Sequence, residues 1–528
     1  MHKKVINDLL NLNTLEALQI INKKWPHNSK ELISYLADLH YINNNYEYAL
    51  ILYKNLIDLD ENNIDLIKKI AFTSYLFGNY EDALIYARKA NKLIPTNHKV
   101  SKLYLDCLLI LGYSEELELQ STKLANNYPN DHEFRYALAL TKRLSGDFIT
   151  SIEILNSLLI STKNSVYQMA LADTIGETNS KSAIIIYESL ITNGLELSTI
   201  QKYNLSIHYL RIRNFTKGWD YFEYGLDKLT GKHGRVLPYN LKDTIKIESF
   251  KLYKKEIKVL VCSEQGIGDQ IIFLSAINDA LIEFPNLYMI CENRMINILK
   301  RTFPSVKFSS NGNFDDFNIN NISITDSIGY LPLGTLFSRF RPTLKSILSN
   351  KNIFLKSNEE FNNKFIDFLN TIANGRKIIG ICWKSNAPMN IQKIKNTEFM
   401  DWLPLFTKDV LIVNLQYGDT YHEQEMVKNL GLEMISFNQF DFSKDIDAWI
   451  SLSNACDGIV SISSSIVHFA GAIGKKVSVV VPHNQGHWSI GIDESASILY
   501  PFVRIFRKYD FLNDSSLLID AVNFLKKN

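Results

Sequence analysis

The sequence has little of what marks several common protein classes, beginning with cysteine. Only 5 cysteines occur in 528 residues, without a Cys-x-x-Cys pair or a Cys/His spacing that fits zinc. This scarcity argues against a disulfide framework of the kind that holds small secreted domains together. We expect buried free thiols in a reducing compartment and no metal site.

Long apolar runs are also missing. No stretch approaches the roughly twenty uninterrupted apolar residues of a membrane span. The first residues are interrupted by Asn, Asp and Glu and lack a small-residue cleavage site, which argues against a signal peptide. We therefore expect a cytoplasmic protein without a transmembrane segment.

The chain has almost no net charge, because 57 Lys and Arg residues oppose 56 Asp and Glu residues. Proteins that bind nucleic acid over a broad surface usually carry a large basic excess. We therefore expect no nucleic-acid partner, although a local basic cleft for a phosphorylated ligand is compatible with this balance. The length and the hydrophobic content of 46% predict two or three domains.

What the sequence does contain is a repeat in its first part. Residues recur at intervals of 34, the period of the tetratricopeptide (TPR) helix–turn–helix unit. The recurring residues are Tyr46 and Tyr80, Ala49 and Ala83, Gly78, Gly112 and Gly146, and Pro95 and Pro129. The pattern predicts a TPR-like α-solenoid over about residues 30–230, in a domain of residues 1–230, with an irregular helical bundle as the alternative. Such arrays bind proteins on their concave face.

After the polar stretch Leu229–Ser249 the pattern changes to short β-rich runs that alternate with helical segments, which predicts parallel sheets. The runs are Ile257–Cys262, Leu287–Cys291, Ile378–Trp383, Val410–Leu415, Gly458–Ile462 and Val477–Val481. They fall into two groups and predict two Rossmann-like domains, residues 231–370 and 371–528, that face each other across a cleft. The segment Ser515–Lys527 has helical spacing.

The first candidate site lies where an apolar strand runs into Gly266, Gly268 and Asp269. Backbone N–H groups at such a turn bind phosphates, and the carboxylate could serve a reacting hydroxyl. Gln265 lies beside them as a possible cleft residue. The alternative is an ordinary tight connection between a strand and a helix.

A second candidate site follows the strand Gly458–Ile462, where Ser463, Ser464 and Ser465 precede a helix that carries His468. Three hydroxyls and the free N–H groups of a helix N-terminus predict an anion site. His468 lies one turn into the helix and could donate a further hydrogen bond to a diphosphate. The alternative is a serine N-cap with a packed histidine.

The strand Ile378–Trp383 delivers a third cluster to the predicted cleft rim. Trp383 ends this strand, Lys384 and Ser385 follow it, and Lys395 lies in the next loop. Ammonium groups at that place could neutralise a leaving phosphate. For Lys393, in the same loop, we favour a solvated side chain.

Gln416 and Glu423 follow the next strand, in the segment NLQYG and at the start of a helix. Gln416 is a possible cleft residue. The carboxylate of Glu423 could accept hydrogen bonds from ribose hydroxyls, or it could simply stabilise the helix N-terminus.

Taken in order, these segments resemble bacterial TPR glycosyltransferases related to the heptosyltransferases, glycosyltransferase family 9. The matching segments are EQGIGD, ICWKSN, NLQYG, SSSIVHFAGAIGK and YPFVRIFRK, preceded by FTKGWDYFEYGL. The resemblance spans about Asn214–Lys508, after the repeats. It implies a GT-B module, in which residues 231–370 form the acceptor-side domain and residues 371–528 bind the nucleotide sugar.

The resemblance also implies roles for particular residues. It implies that Asp269 is the general base. Ser464, Ser465 and His468 fall on the element that holds the donor diphosphate, and Lys384 lies near the phosphate-binding strand end. The family needs no metal ion and no cofactor beyond the nucleotide-sugar substrate.

Other positions match the family less closely. Glu423 falls near its ribose-contacting carboxylate. Ser463 stands where the family has an Asp beside the diphosphate, and Met389 and Gln392 replace the usual His and Asp of the loop after the tryptophan strand. The lost Asp bears on which donor binds and on how active the protein is.

One further motif needs an interpretation. Asp445 and Asp447 form a DxD triplet like the metal-binding motif of the other major glycosyltransferase fold, but they precede a helical segment. Helix capping is the interpretation that we favour.

The residues and the resemblance together predict a glycosyltransferase that moves a sugar from a nucleotide-activated donor to a hydroxyl acceptor, and the resemblance implies that it is metal-independent. The repeats favour a protein acceptor, such as a flagellin-like or other surface protein. Two alternatives stay open: a lipopolysaccharide or lipid-linked glycan as acceptor, and a non-catalytic TPR adaptor with a degraded transferase half.

Overall fold

The computed structural model describes residues 12, 14–24, 29–226, 235, 245–246, 258–318, 328–385, 392, 395–483, 486–508 and 514–527. The chain divides into two compact units, Met1–Tyr167 and Gln168–Asn528. The first holds helical repeats, and the second holds the last repeat helices and two parallel sheets. The domain boundaries near residues 230 and 370 stay a prediction.

Consecutive helices of the first unit pack against each other along the chain. Their bounds are α1 Thr14–Lys24, α2 Ser29–Ile42, α3 Tyr46–Ile57, α4 Ile64–Phe77, α5 Tyr80–Leu93, α6 His98–Leu111, α7 Ser114–Asn127, α8 His132–Leu144 and α9 Phe148–Ser161. Corresponding helices, such as α4 and α6, begin 34 residues apart. The spacing of the sequence repeat is therefore the spacing of the helix pairs.

Local signals set the ends of these helices. The side chains of Asn63, Asn97 and Asp131 accept hydrogen bonds from N–H groups of the first turns of α4, α6 and α8. Gly78 and Gly112 end α4 and α6 with φ of +87° and +78°, a left-handed conformation that favours glycine. The recurring glycines thus mark helix ends, and the predicted solenoid is confirmed.

The repeats continue into the second unit, which begins at Gln168. The helices are α10 Ser165–Gly176, α11 Ser180–Thr192, α12 Thr199–Arg211 and α13 Phe215–Phe222, followed by a 3-10 turn at Glu223–Leu226. Trp219 on α13 lies edge-on to Phe337, with 5.9 Å between ring centroids, and donates its indole N–H to the carbonyl of Arg341 at 3.0 Å. The last repeat is therefore packed into the fold that carries the sheets.

The first Rossmann-like domain contains a five-stranded parallel sheet in the order β1-β7-β2-β3-β4, and β5 and β6 form a separate antiparallel pair. The strands are β1 Ile245–Lys246, β2 Lys258–Cys262, β3 Leu287–Ile290, β4 Lys307–Ser309, β5 Asn313–Phe314, β6 Phe317–Asn318 and β7 Ile328–Pro332. The helices are α14 Ile267–Leu274, α15 Ile277–Glu283, α16 Ile296–Thr302, α17 Leu333–Phe340 and α18 Leu344–Leu348.

The second Rossmann-like domain contains a six-stranded parallel sheet in the order β10-β9-β8-β11-β12-β13. The strands are β8 Lys377–Cys382, β9 Val410–Asn414, β10 Met434–Ile435, β11 Gly458–Ile462, β12 Val477–Pro482 and β13 Val503–Lys508. The helices are α19 Glu359–Ala373, α20 Tyr421–Asn429, α21 Ile446–Ala455, α22 Ser465–Ala472 and α23 Asp514–Lys526, with a 3-10 turn at Phe399–Leu405.

Each of the six predicted strands forms, with its ends shifted by about one residue at most. Strands β2, β8 and β11 lie in the interiors of their sheets, and their apolar residues are buried on both faces, as parallel sheets require. The predicted fold class, an α-solenoid followed by a GT-B module of two Rossmann-like domains, is confirmed.

The last helix, α23, packs on the second sheet. Leu518 and Leu525 are buried against it, and the hydroxyl of Ser478 donates a hydrogen bond to the carbonyl of Ala521 at 2.8 Å. Among the described helices, none has both the length and the apolar character needed to cross a membrane. The cytoplasmic location stays a prediction.

Candidate active site

The turn between β2 and α14 forms one wall of the site. Gly266 is the N-cap residue of α14, and Gln265 before it has φ of +60°, an uncommon conformation for a residue with a side chain. A Cβ on Gly268 would lie 3.2 Å from His468 Cδ2 and 3.5 Å from Ser465 Cα. Glycine at position 268 therefore lets α14 approach the N-terminus of α22 closely.

The serine turn between β11 and α22 forms the opposite wall. Ser464 is the N-cap residue of α22, but its side chain does not cap the helix. Its Oγ instead lies 3.2 Å from Ser461 Oγ and 3.7 Å from Cys382 Sγ. Because the first N–H groups of a helix have no partner within the helix, those of Ser465 and Ile466 are available to a ligand, whereas that of Val467 donates to the carbonyl of Ser464 at 3.2 Å. Ser464 therefore does not form the side-chain N-cap of the alternative interpretation.

A cavity of about 460 Å³ lies between these walls. Eight of the predicted site residues line it: Gly266, Gly268, Asp269, Lys395, Ser463, Ser464, Ser465 and His468. The two motifs, almost two hundred residues apart in the sequence, are thus brought together by the meeting of two helix N-termini.

Asp269 lies in the first turn of α14, and its side chain is 23% exposed. Its Oδ1 lies 2.8 Å from Nε2 of His487. Burial acts to raise the pKa of the Asp269 carboxyl, and the neighbouring His487, whose ring N–H donates to it, acts to lower it. With smaller contributions from His468 and Lys395, the pKa lies below its ordinary value, and the carboxylate is ionised at neutral pH.

Two basic side chains share this environment with the carboxylate. Burial lowers the pKa of His468 to about 3, so its ring is neutral at physiological pH. Its Nδ1 is buried and has no hydrogen-bond partner among the described residues. Burial also lowers the pKa of Lys395, while Asp269 acts in the opposite direction. The site therefore offers a neutral imidazole and the side-chain amino group of Lys395 beside the helix N-termini.

Other predicted residues do not line the cavity. Lys384 Nζ lies 2.9 Å from Glu423 Oε1 and 3.1 Å from the carbonyl of Asp419. Trp383 is 1% exposed, and its indole N–H also points to Glu423 at 3.3 Å. Burial acts to raise the pKa of Glu423, but hydrogen bonds from Lys384, from the backbone and from Trp383, together with the charge of Lys384, outweigh it and lower the pKa. Lys384 and Glu423 thus pair with each other, and their donor-binding roles stay predictions.

Gln416 and Gln265 are held by the fold rather than free in the cleft. Gln416 Oε1 accepts hydrogen bonds from the N–H groups of Trp383 and Lys384 at 3.0 and 2.9 Å. It ties the end of β8 to the end of β9. Gln265 donates from Nε2 to the hydroxyl of Tyr203 on α12 at 2.7 Å. Both side chains therefore support the walls of the site.

The DxD triplet has a structural role. Asp445 is the N-cap residue of α21 and accepts a hydrogen bond from Ala448 N–H at 2.9 Å, which confirms the capping interpretation. Asp447 pairs with Arg301. No group of three or more His, Cys, Asp or Glu side chains among the described residues could hold a metal ion, and metal independence stays a prediction. Met389 and Lys393 lie outside the described residues.

Among the cavity-lining residues that sequence reasoning missed, two have basic side chains, His487 and Arg294. Arg294 follows β3, and its Nη1 donates to the carbonyl of Ser443 in the second Rossmann-like domain at 2.6 Å. His487 follows β12. Ligands of parallel sheets bind beyond the carboxyl ends of the strands, so the position of each residue after a strand was the available signal.

Comparisons with known proteins give likenesses of fold. No family model and no curated protein matches the chain. Similar solved structures include a tetratricopeptide repeat protein from Parabacteroides merdae, with 16% identity and a TM-score of 0.35, over 42% of this chain and 90% of that one. They also include a glycosyl transferase family 9 structure from Veillonella parvula, with 12% identity and a TM-score of 0.35, over 52% of this chain and 98% of that one. At these values neither likeness assigns an activity to this chain.

Proposed function

We propose that this protein is a glycosyltransferase that moves a sugar from a nucleotide-activated donor to a hydroxyl acceptor. The observation that carries the proposal is the shared cavity, in which the ionised carboxylate of Asp269 lies opposite the serine-lined N-terminus of α22. One wall offers a base and the other offers an anion site. Glycosyl transfer from a nucleotide sugar needs both.

In the proposed reaction the acceptor oxygen attacks the anomeric carbon of the donor, and the acceptor proton passes to the carboxylate of Asp269. The bond between the anomeric carbon and the diphosphate oxygen breaks, and its electron pair leaves with the nucleoside diphosphate. The N–H groups of α22, with the hydroxyls of Ser463 and Ser465, stabilise the negative charge that develops on the diphosphate. Positioned donors of this kind act strongly in a partly buried site.

The positive charge near the leaving group comes from Lys395 rather than from Lys384. Lys395 lines the cavity, whereas Lys384 is paired with Glu423. The neutral ring of His468 adds a hydrogen-bond donor without a charge. Ser463 offers a hydroxyl where a carboxylate would repel the diphosphate, so its presence is compatible with anion binding.

The first experiment is a thermal-shift screen with UDP, GDP, ADP and CMP and their sugars. The matched variants are Ser465→Glu, which places a carboxylate at the anion site, and Ser189→Glu, which places one on the exposed face of α11. A nucleotide that binds the native state raises the melting temperature by mass action. We expect one nucleotide class to stabilise the wild type and Ser189→Glu, and Ser465→Glu to lose most of that shift. No shift in the wild type would favour the adaptor alternative.

We also propose that the acceptor is a polypeptide that the repeats of the first unit bind. A groove of about 260 Å³ in this unit is lined by apolar side chains such as Leu109 and Val166 and by the acidic residues Asp106 and Glu133. Grooves of this kind suit the side chains of an extended peptide.

The acceptor proposal is tested by transfer of labelled sugar to flagellin-like or other surface proteins and to lipid-linked glycans. The matched variants are Val166→Asp, in the groove, and Ile160→Asp, which is 89% exposed and outside it. We expect Val166→Asp to raise KM for a protein acceptor, with Ile160→Asp unchanged. Transfer to a lipid-linked glycan alone, with both variants unchanged, would favour the lipopolysaccharide alternative.

A further inference from the structure

Two consecutive residues after β12, His487 and Trp488, contact one face of α14. His487 contacts Asp269 through the 2.8 Å hydrogen bond, and Trp488 stacks on Phe273, one turn further along α14, with 6.2 Å between ring centroids and 12° between planes. Positions four apart on a helix lie on the same face. The two neighbouring side chains therefore fix α14 at the carboxylate and at the core together.

The hydrogen bonds of His487 identify which ring nitrogen carries the hydrogen. The backbone N–H of Ser489 points to His487 Nδ1 at 3.3 Å, and the Ser489 hydroxyl lies 2.8 Å from the same nitrogen. A backbone N–H can only donate, so Nδ1 is the accepting nitrogen of the ring. The hydrogen is therefore on Nε2, which donates to Oδ1 of Asp269.

This arrangement leaves His487 without a nitrogen that could accept a proton from a ligand. One nitrogen serves Asp269 and the other serves Ser489. The second oxygen of the carboxylate, Oδ2, makes no hydrogen bond among the described residues and lies 3.6 Å from where a Cβ of Gly266 would be, at the cavity wall. Of the two side chains, His487 and Asp269, only the carboxylate of Asp269 therefore keeps lone pairs that can accept a proton from a ligand.

We propose that His487 is a positioning residue that holds Asp269 by its Nε2–H, so that Oδ2 faces the acceptor, and that His487 is not itself the base. This inference rests on the proposed function. In the reaction the acceptor proton passes to Oδ2 of Asp269, and the hydrogen on Nε2 of His487 stays in place. The opposite assignment, a histidine base oriented by a carboxylate, requires a free imidazole nitrogen at the cavity.

The segment that carries His487 is held from several sides. Trp488 is 2% exposed and lies among the rings of Phe273, Phe337 and Trp219. Its carbonyl accepts a hydrogen bond from Arg213 at 2.6 Å. The imidazole is thus placed by a rigid anchor, so a substitution of His487 changes the hydrogen bond without removing the anchor.

The kinetic test compares His487→Gln, which retains a side-chain N–H donor, with His487→Leu, which does not. We expect His487→Leu to lower kcat by roughly ten- to a hundredfold, the range that loss of a hydrogen bond to a charged group produces. KM for the donor and the nucleotide thermal shift should change little, and His487→Gln should recover most of the loss. If His487→Gln is as inactive as Asp269→Asn, the histidine is the base and the proposal is overturned.

The pH profile separates positioning from a merely structural role. The titratable groups that face Asp269 and His487 are His468, Lys395, Tyr500 and Tyr203. Because the hydrogen bond of His487 favours the ionised carboxylate, its loss should move the acid limb of the rate profile to higher pH. An acid limb that stays in place in His487→Leu contradicts the proposal.

A measurement that does not depend on activity keeps this inference distinct from the proposed function. Long-range proton–nitrogen correlation spectra of histidine-labelled full-length protein report which ring nitrogen carries hydrogen. We expect the ring hydrogen of His487 on Nε2 and none on Nδ1, assigned by loss of its signals in His487→Gln. A hydrogen on Nδ1, or a doubly protonated ring, overturns the inference whether or not a nucleotide sugar is turned over.

Discussion

Each of the two units contains an arginine that donates two hydrogen bonds to the carboxylate of one glutamate, and the two pairs differ in burial. In the first unit Arg88 binds Glu116 through Nε and Nη2 at 3.0 and 2.7 Å, and the side chains are 37% and 31% exposed. In the second unit Arg235 binds Glu264 through the same atoms, both at 2.7 Å, and both side chains are fully buried. The same chemistry is thus used at the surface of one unit and in the interior of the other.

The difference in burial between the two ion pairs follows from the part of the structure that each pair holds in place. Arg88 and Glu116 join neighbouring repeats, where packing of helices already sets the geometry. Glu264 is the residue before Gln265 at the β2–α14 turn, and it also accepts a hydrogen bond from Gly334 N–H at 2.6 Å. Burying a charge is costly unless it is paired and hydrogen-bonded. In the second unit, the charges of Arg235 and Glu264 are buried, paired and hydrogen-bonded next to the turn that carries Asp269.

The largest expected effect is the loss of the buried pair. Arg235→Met leaves Glu264 buried without its partner, and removal of one member of a buried ion pair costs about 3–5 kcal/mol. We expect a fall of several degrees in the melting temperature by calorimetry, together with loss of the nucleotide-induced shift. A melting temperature equal to that of the wild type would show that the buried pair does not stabilise this region.

A smaller effect is expected where the repeats meet the site directly. Tyr203→Phe removes the hydroxyl that accepts the hydrogen bond from Gln265, which contributes about 0.5–1.5 kcal/mol. We expect weaker nucleotide binding by calorimetric titration. The control is Tyr53→Phe, which removes a 2.5 Å hydrogen bond to Asp38 within the first unit and should leave nucleotide binding unchanged. Equal losses of nucleotide affinity in Tyr203→Phe and Tyr53→Phe would show that the hydrogen bond of Tyr203 has no particular importance for the site.

The carboxylate of Asp269 gives a pH-dependent effect. Its pKa in the folded protein lies below its ordinary value, so its ionised form contributes stability above the unfolded pKa of about 3.9. That contribution is lost as the pH falls through the folded-state pKa. We expect the difference in melting temperature between wild type and Asp269→Asn to shrink below about pH 4. A difference that does not change with pH would contradict the assigned ionisation.

The smallest effect is expected at the exposed pair. Arg88→Met should cost about 0–1 kcal/mol, because exposed ion pairs are screened by water and salt. The melting temperature of Arg88→Met should therefore fall less than that of Arg235→Met. A loss as large as that of Arg235→Met would show that exposure does not set the difference.

The sequence predicts most of the fold because repeated local signals agree with each other. The strand Gly458–Ile462 forms with the predicted bounds, and the predicted helix Ser515–Lys527 forms as Asp514–Lys526. Strands such as Lys307–Ser309 were missed because three residues carry no alternating pattern. Short strands depend on pairing with neighbours, which a single sequence does not show.

The site is predicted less completely than the fold. The glycine turn and the serine turn identify its two walls, because both follow strands and precede helices. The direction of a side chain is decided by partners from distant segments, as for Lys384, which pairs with Glu423 and does not line the cavity. The contact of His487 with Asp269 joins segments more than two hundred residues apart and leaves no periodic signal.

The most direct test of the central claim is turnover of a panel of nucleotide sugars by the wild type and Asp269→Asn, with nucleotide binding measured on both. We predict that the wild type turns over at least one donor in the presence of acceptor. Asp269→Asn should bind the same nucleotide and be about 10²–10⁴-fold slower, the range for loss of a general base. Transfer at the wild-type rate by a folded Asp269→Asn protein would contradict the account.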